Sequence, residues 1–147
     1  MSEEFIQEYN MFLSGEFSAV DTYELALQNV KNADIVNALM ICKESHLKRV
    51  AKLTSCVEAL GGKAAVSAGV WGPFAEWVQK SASSEIEAIA LLEESEAERL
   101  VQYEAQQKIV VTPVLEVLTE DLLRPQHETH LTLSSLLGIQ REVPVTG

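Results

Sequence analysis

The chain repeats part of itself. Glu16 and Glu96 are each followed seven residues later by Tyr-Glu, at Tyr23-Glu24 and Tyr103-Glu104, and Glu44-Ser45-His46-Leu47 is echoed by Glu128-Thr129-His130-Leu131. Such self-similarity constrains a fold more than any single motif, because it implies that one supersecondary unit has been built twice. Helical periodicity over four long segments, with no alternating runs and no Asn-Gly or Asp-Gly hairpin signals, makes those units helical. The expected fold is all-α.

The first helix is predicted from near Ser2 to Val30. A short turn at Lys31-Asn32-Ala33-Asp34 follows, in which Asp34 is expected to cap a second helix that Gly61-Gly62 ends at Leu60. Residues 61 to about 82 contain four of the seven glycines and both tryptophans and read as a crossover. Within it, residues 71–78 suggest a short helix whose Trp71, Phe74 and Trp77 cover the outside of the molecule or serve an interface. Ser83-Ser84 opens a third helix that continues to about Val110. Thr112-Pro113 supplies an N-cap and first-turn proline for a fourth, closed by Gly138. Pro125 lies inside that last helix and is expected to kink it just before His127. A short, a long and a short connection describe two antiparallel hairpins joined by a crossover, a four-helix bundle formed by residues 1–147 as a single domain.

Composition narrows the function. The 147 residues are 47% hydrophobic, enough for a real core, with no apolar run long enough to span a bilayer. The acidic Met-Ser-Glu-Glu start lacks the basic and apolar regions of a signal peptide, so a cytoplasmic location is expected. The formal charge of -11 argues against nucleic acid or anionic membrane as partner, since phosphate binding needs clustered Lys and Arg. Cys42 and Cys56 fall on one helix about 21 Å apart, too far to bridge. No serine elbow, phosphate loop or Cys-His pairing suggests a hydrolase.

Steps of about 100° per residue place the repeated polar residues relative to each apolar stripe. Glu16 falls mid-stripe on the first helix, His46 on the second and Glu96 on the third. His130 falls inside but off-centre on the fourth, and His127 near its edge. Counting from each turn puts Glu and His at the same height in both hairpins, while Glu44 and Glu128 face away. Buried carboxylates cost several kcal/mol each unless paired, so a positive group must stand between them: a metal, a protonated His, or Lys43. Two Glu and two His suit divalent Zn, Fe, Mn or Co, with Glu16, His46, Glu96 and His130 as ligands and His127 as a fifth. Tyr23 and Tyr103, one heptad beyond the glutamates on the same faces, are expected either to hydrogen-bond them from behind or to be ordinary aromatic core with one wet end.

Together, Gly15 to Tyr23, the Glu44-Ser45-His46 and His127 to His130 segments, and the Gly61-Gly62 stop before a Trp-containing crossover resemble the ferritin-like superfamily, in particular its rubrerythrin-type bundles. The resemblance spans most of the chain. It implies a central iron or manganese site serving iron oxidation and storage, peroxide reduction or other oxygen chemistry, and association into a homo-oligomer such as a dimer. The two-metal form of that site needs one Glu on each odd helix and Glu-x-x-His on each even one. Matching His46 and His130 to the histidines leaves Lys43 and His127 where bridging carboxylates belong. A mononuclear site, a two-metal site completed by His127 or Glu93, or a degenerate site in which Lys43 supplies the charge are the readings this leaves. The alternative to metal binding is a non-enzymatic bundle that acts by dimerising or binding a partner.

Overall fold

A computed structural model describes residues 2–69 and 84–142. Four long helices account for most of them: α1 (Ser2–Ala26), α2 (Ala33–Ala59), α3 (Glu85–Gln107), and a fourth made of α4 (Val114–Val117), a π-helical stretch (Leu118–Leu123) and α5 (Arg124–Glu142). No strand occurs among the described residues. The molecule is all-α, and its packing is compatible with a four-helix bundle. The short helix expected at residues 71–78, with Trp71, Phe74 and Trp77, lies outside the described residues.

Local chemistry explains most boundaries. α1 ends at Ala26 and tightens into a 3-10 turn over Leu27–Asn29, short of the expected Val30. The cap of α2 is Asn32 rather than Asp34: the Asn32 Oδ1 accepts from the N–H groups of Asp34 at 2.9 Å and Ile35 at 3.1 Å. Asp34 therefore sits in the first turn, where its charge complements the helix dipole. At the other end Gly61, with φ of 79°, adopts the left-handed conformation that only glycine takes without penalty, and α2 ends at Ala59, one residue short of the expected Leu60. Ser84 caps α3 by accepting from the Glu87 N–H at 3.2 Å. α3 closes at Gln107 rather than Val110, and the fourth helix opens at Val114 with no side-chain cap from Thr112. Gly138 does not end it; α5 continues to Glu142, because mid-helix glycine costs only about 1 kcal/mol relative to alanine.

α1 pairs with α2, and α3 with the fourth helix, across short connections. Two apolar clusters fill the interior. One gathers Tyr9, Phe12, Leu13, Leu53, Val57, Val114 and Leu118, while the other gathers Ala26, Ile35, Leu39, Ile89, Leu92, Leu133 and Leu137. Between them lies a fully buried polar layer.

Candidate functional site: a buried polar layer

Each helix contributes to the layer from its inward stripe. Glu16 comes from α1, His46 and Arg49 from α2, Glu96 from α3, and Gln126 and Thr129 from α5; none is more than 4% exposed. His46 stands between the two glutamates. Its Nδ1 lies 2.6 Å from Glu16 Oε1 and its Nε2 lies 2.6 Å from Glu96 Oε1. A neutral imidazole would set a lone pair against one carboxylate, so this geometry requires the doubly protonated ring, which donates on both sides.

The carboxylates are fully engaged. Glu16 Oε2 accepts from the Tyr103 hydroxyl. Glu96 Oε1 also accepts from Tyr23 at 2.8 Å, and its Oε2 accepts from Gln126 at 2.9 Å and from Thr129. The tyrosines thus cross over, each bonding the glutamate of the other odd helix. The Tyr23 ring also lies 5.4 Å from His46.

Arg49 closes the layer. Its Nη1 donates to Gln126 Oε1 and stands 3.7 Å from Glu16, while its Nη2 donates to Ser45 at 3.0 Å and Thr129 at 3.1 Å. Two carboxylates, one imidazolium and one guanidinium give a formally neutral interior, the condition under which buried charge is tolerated.

The ionisation equilibria reflect this pairing. Burial alone would raise the Glu16 carboxyl, but Arg49 and His46 outweigh it and hold the group far below its ordinary value. Burial likewise opposes ionisation of Glu96, yet the charge and hydrogen bond of His46 bring it down to about 2. Burial pulls His46 down while Glu96 and Glu16 pull it up, and the carboxylates prevail. The Tyr23 and Tyr103 phenols are pushed well up, first by burial and then by the carboxylate beside each.

The structure brings together Glu16, His46 and Glu96, with Tyr23 and Tyr103 behind the carboxylates. It does not bring in the other expected ligands. His130 is turned toward α3, where its Nε2 lies 3.2 Å from Glu93, and its side chain is 27% exposed. His127 is exposed. Lys43 points away from the centre and pairs with Glu24 at 3.4 Å, so of the three candidate positive groups, a metal, a protonated His or Lys43, it is not Lys43 that stands between the carboxylates; His46 does, with Arg49 beside it.

The backbone of the fourth helix is irregular. A π-helical stretch, bonded i to i+5, turns less per residue than an α-helix. The irregularity begins at Leu118, earlier than the kink expected just before His127, yet Leu118, Leu122 and Leu133 are all buried, so the apolar stripe runs on across it, and Gln126 and Thr129 lie closer to that stripe than His130 does. Inward positions become Gln126, Thr129, Leu133 and Leu137.

A signal for this was present. Glu16 and Glu96, and likewise Tyr23 and Tyr103, are related by an offset of 80 residues. The same offset pairs His46 with Gln126, Arg49 with Thr129, Leu53 with Leu133 and Val57 with Leu137, all buried. The echo of Glu-Ser-His-Leu by Glu-Thr-His-Leu runs at a different offset and joins residues that are not equivalent in space. Comparison with protein families, with curated proteins and with solved structures finds no match.

A resident metal does not fit these residues. All four carboxylate oxygens of Glu16 and Glu96 accept hydrogen bonds, and both His46 nitrogens are used. Arg49 brings a fixed cation into the layer, and its Nε is a buried donor without a partner among the described residues, the opposite of what a metal seeks. Among the described residues no group of three or more His, Cys, Asp or Glu side chains is disposed to hold an ion.

Proposed function

We propose that this protein is a ferritin-like helical bundle whose central metal positions have been replaced by an internal ion-pair network, and that it acts without redox catalysis, through association with a partner chain or a second copy of itself. The supporting layout is one inward residue on each odd helix and an inward i, i+3 pair on each even helix, the arrangement of carboxylate-bridged two-metal bundles. Here the pairs are His46 with Arg49 and Gln126 with Thr129. Glutamates remain on the odd helices; the even helices carry a cationic pair and a neutral pair. The single observation that carries the reading is His46 held 2.6 Å from both carboxylates, beside Arg49. On α2, Met40, Ile41 and Leu47 are exposed apolar residues available to a partner.

A second reading, a central Fe, Mn or Zn ion, is favoured by the convergence of Glu16, His46 and Glu96. Such an ion would have to displace both hydrogen bonds of His46 and tolerate Arg49. Metal analysis of protein purified without chelators, then dialysed against each ion in turn, separates the two. The replacement reading expects no stoichiometric metal, and one equivalent retained through gel filtration and lost in His46→Gln would overturn it. Light scattering at several concentrations tests association, a strictly monomeric chain with no captured partner being the adverse result.

A further inference from the structure

The central layer is balanced without Arg99. In the 80-residue correspondence the partner of Arg99 is Ala19, a buried small residue, so the repeat does not call for a cation there. Arg99 lies beside Tyr103, whose hydroxyl donates to Glu16, and its charge also acts on Glu16 and Glu96. Its guanidinium lies across the α1 backbone at Gly15, where a Cβ atom would come within 2.8 Å of Nη1. Glycine in the middle of a 25-residue helix costs about 1 kcal/mol relative to alanine, and the space it leaves is occupied by this side chain.

Arg99 forms one wall of a cavity of about 240 Å³ between α1 and α3. Met11 and Phe12 provide an apolar side, and Ser95 and Gln102 provide hydroxyl and amide groups, while the Tyr103 hydroxyl is committed to Glu16. The volume is below the range of about 300–1,000 Å³ usual for drug-sized ligands, which restricts the occupant to a small molecule. The cavity therefore presents a cation surplus to the interior balance, neutral polar groups and a short apolar surface.

We infer that this cavity binds a small organic monocarboxylate, its carboxylate on the Arg99 guanidinium and its apolar body against Met11 and Phe12. A guanidinium offers paired donors matched to a carboxylate. Glu98, which also lines the cavity and is exposed, disfavours a second negative charge, so dicarboxylates and inorganic phosphate bind poorly. The site adjoins the central layer through Arg99 and Tyr103, but the carboxylate contact it offers is on the cavity side of Arg99 and does not require that layer to bind metal.

Sodium benzoate is a suitable probe, titrated into isotope-labelled full-length protein with backbone amides followed by NMR. Saturable shifts are expected at Met11, Gly15, Ser95, Arg99 and Gln102, with affinity at least about tenfold above that for benzamide, succinate or phosphate. Arg99→Gln is expected to weaken benzoate by about tenfold or more. Ser95→Leu, which fills the cavity while leaving the guanidinium in place, is expected to abolish binding, and it alone decides the matter if Arg99→Gln does not fold. Absent or non-saturable shifts, shifts centred elsewhere, benzamide or succinate binding as tightly as benzoate, or undiminished binding in a folded variant would each overturn the assignment.

Discussion

At the residue scale, the protein turns on two basic side chains of α2 with opposite surroundings. Arg49 is buried and donates to Ser45, Gln126 and Thr129 while facing Glu16; Lys43, earlier on the same helix, pairs with Glu24 at the surface. Removing one partner of a buried ion pair strands the other charge, typically at a cost of about 3–5 kcal/mol, whereas surface pairs contribute about 0–1 kcal/mol. Arg49→Met is therefore expected to lose about 3–5 kcal/mol in urea unfolding. Lys43→Met is expected to change stability by less than about 1 kcal/mol. The reverse order would mean that Lys43, not Arg49, balances the carboxylates. Glu16, His46 and Glu96 were legible in sequence because each lies mid-stripe on a regular helix, where 100° stepping holds. Arg49 was missed because a long basic side chain is ordinarily assigned to solvent, and only its neighbours Gln126 and Thr129, distant in sequence, show that it is satisfied inside.

At the scale of elements, helix content followed from periodicity, and the boundaries followed from which side chain reaches which N–H. Asn32 rather than Asp34 caps α2, so Asn32→Ala is expected to cost about 0.5–2 kcal/mol in thermal or urea unfolding. Asp34→Ala removes only a favourable charge at the helix start, worth about 0.3–1 kcal/mol and screened by salt. An Asp34→Ala loss larger than that of Asn32→Ala, insensitive to salt, would restore Asp34 as the cap. The fourth helix shows the limit of pattern reading. A proline at 125 signals that regular hydrogen bonding must fail nearby, but not that it fails as i to i+5 bonding over Leu118–Leu123. Gln126 and Thr129 rather than His130 face the interior, and the 80-residue offset that pairs them with His46 and Arg49 is the sequence feature that marks them.

At the scale of the whole molecule, an interior layer of four charges makes stability depend on pH in a particular sense. Glu16 and Glu96 are held below their ordinary value of 4.5, so their contribution is complete above that pH and lost as pH falls through the depressed values. His46 is raised above its ordinary 6.5, so its contribution is complete below 6.5 and lost as pH rises through the raised value. The layer thus contributes most between about pH 4.5 and 6.5. Urea midpoints are expected to be higher at about pH 5.5 than at about pH 9, and His46→Gln is expected to flatten the alkaline decline. A wild-type decline no steeper than that of His46→Gln would show a neutral ring. By itself the sequence determined an all-helical chain with a duplicated plan and three inward ionisable groups, since periodicity, stop signals and repetition are local and need no knowledge of neighbours. The tertiary structure decided what balances those groups, because charge compensation depends on distances across four helices, between residues far apart in the chain.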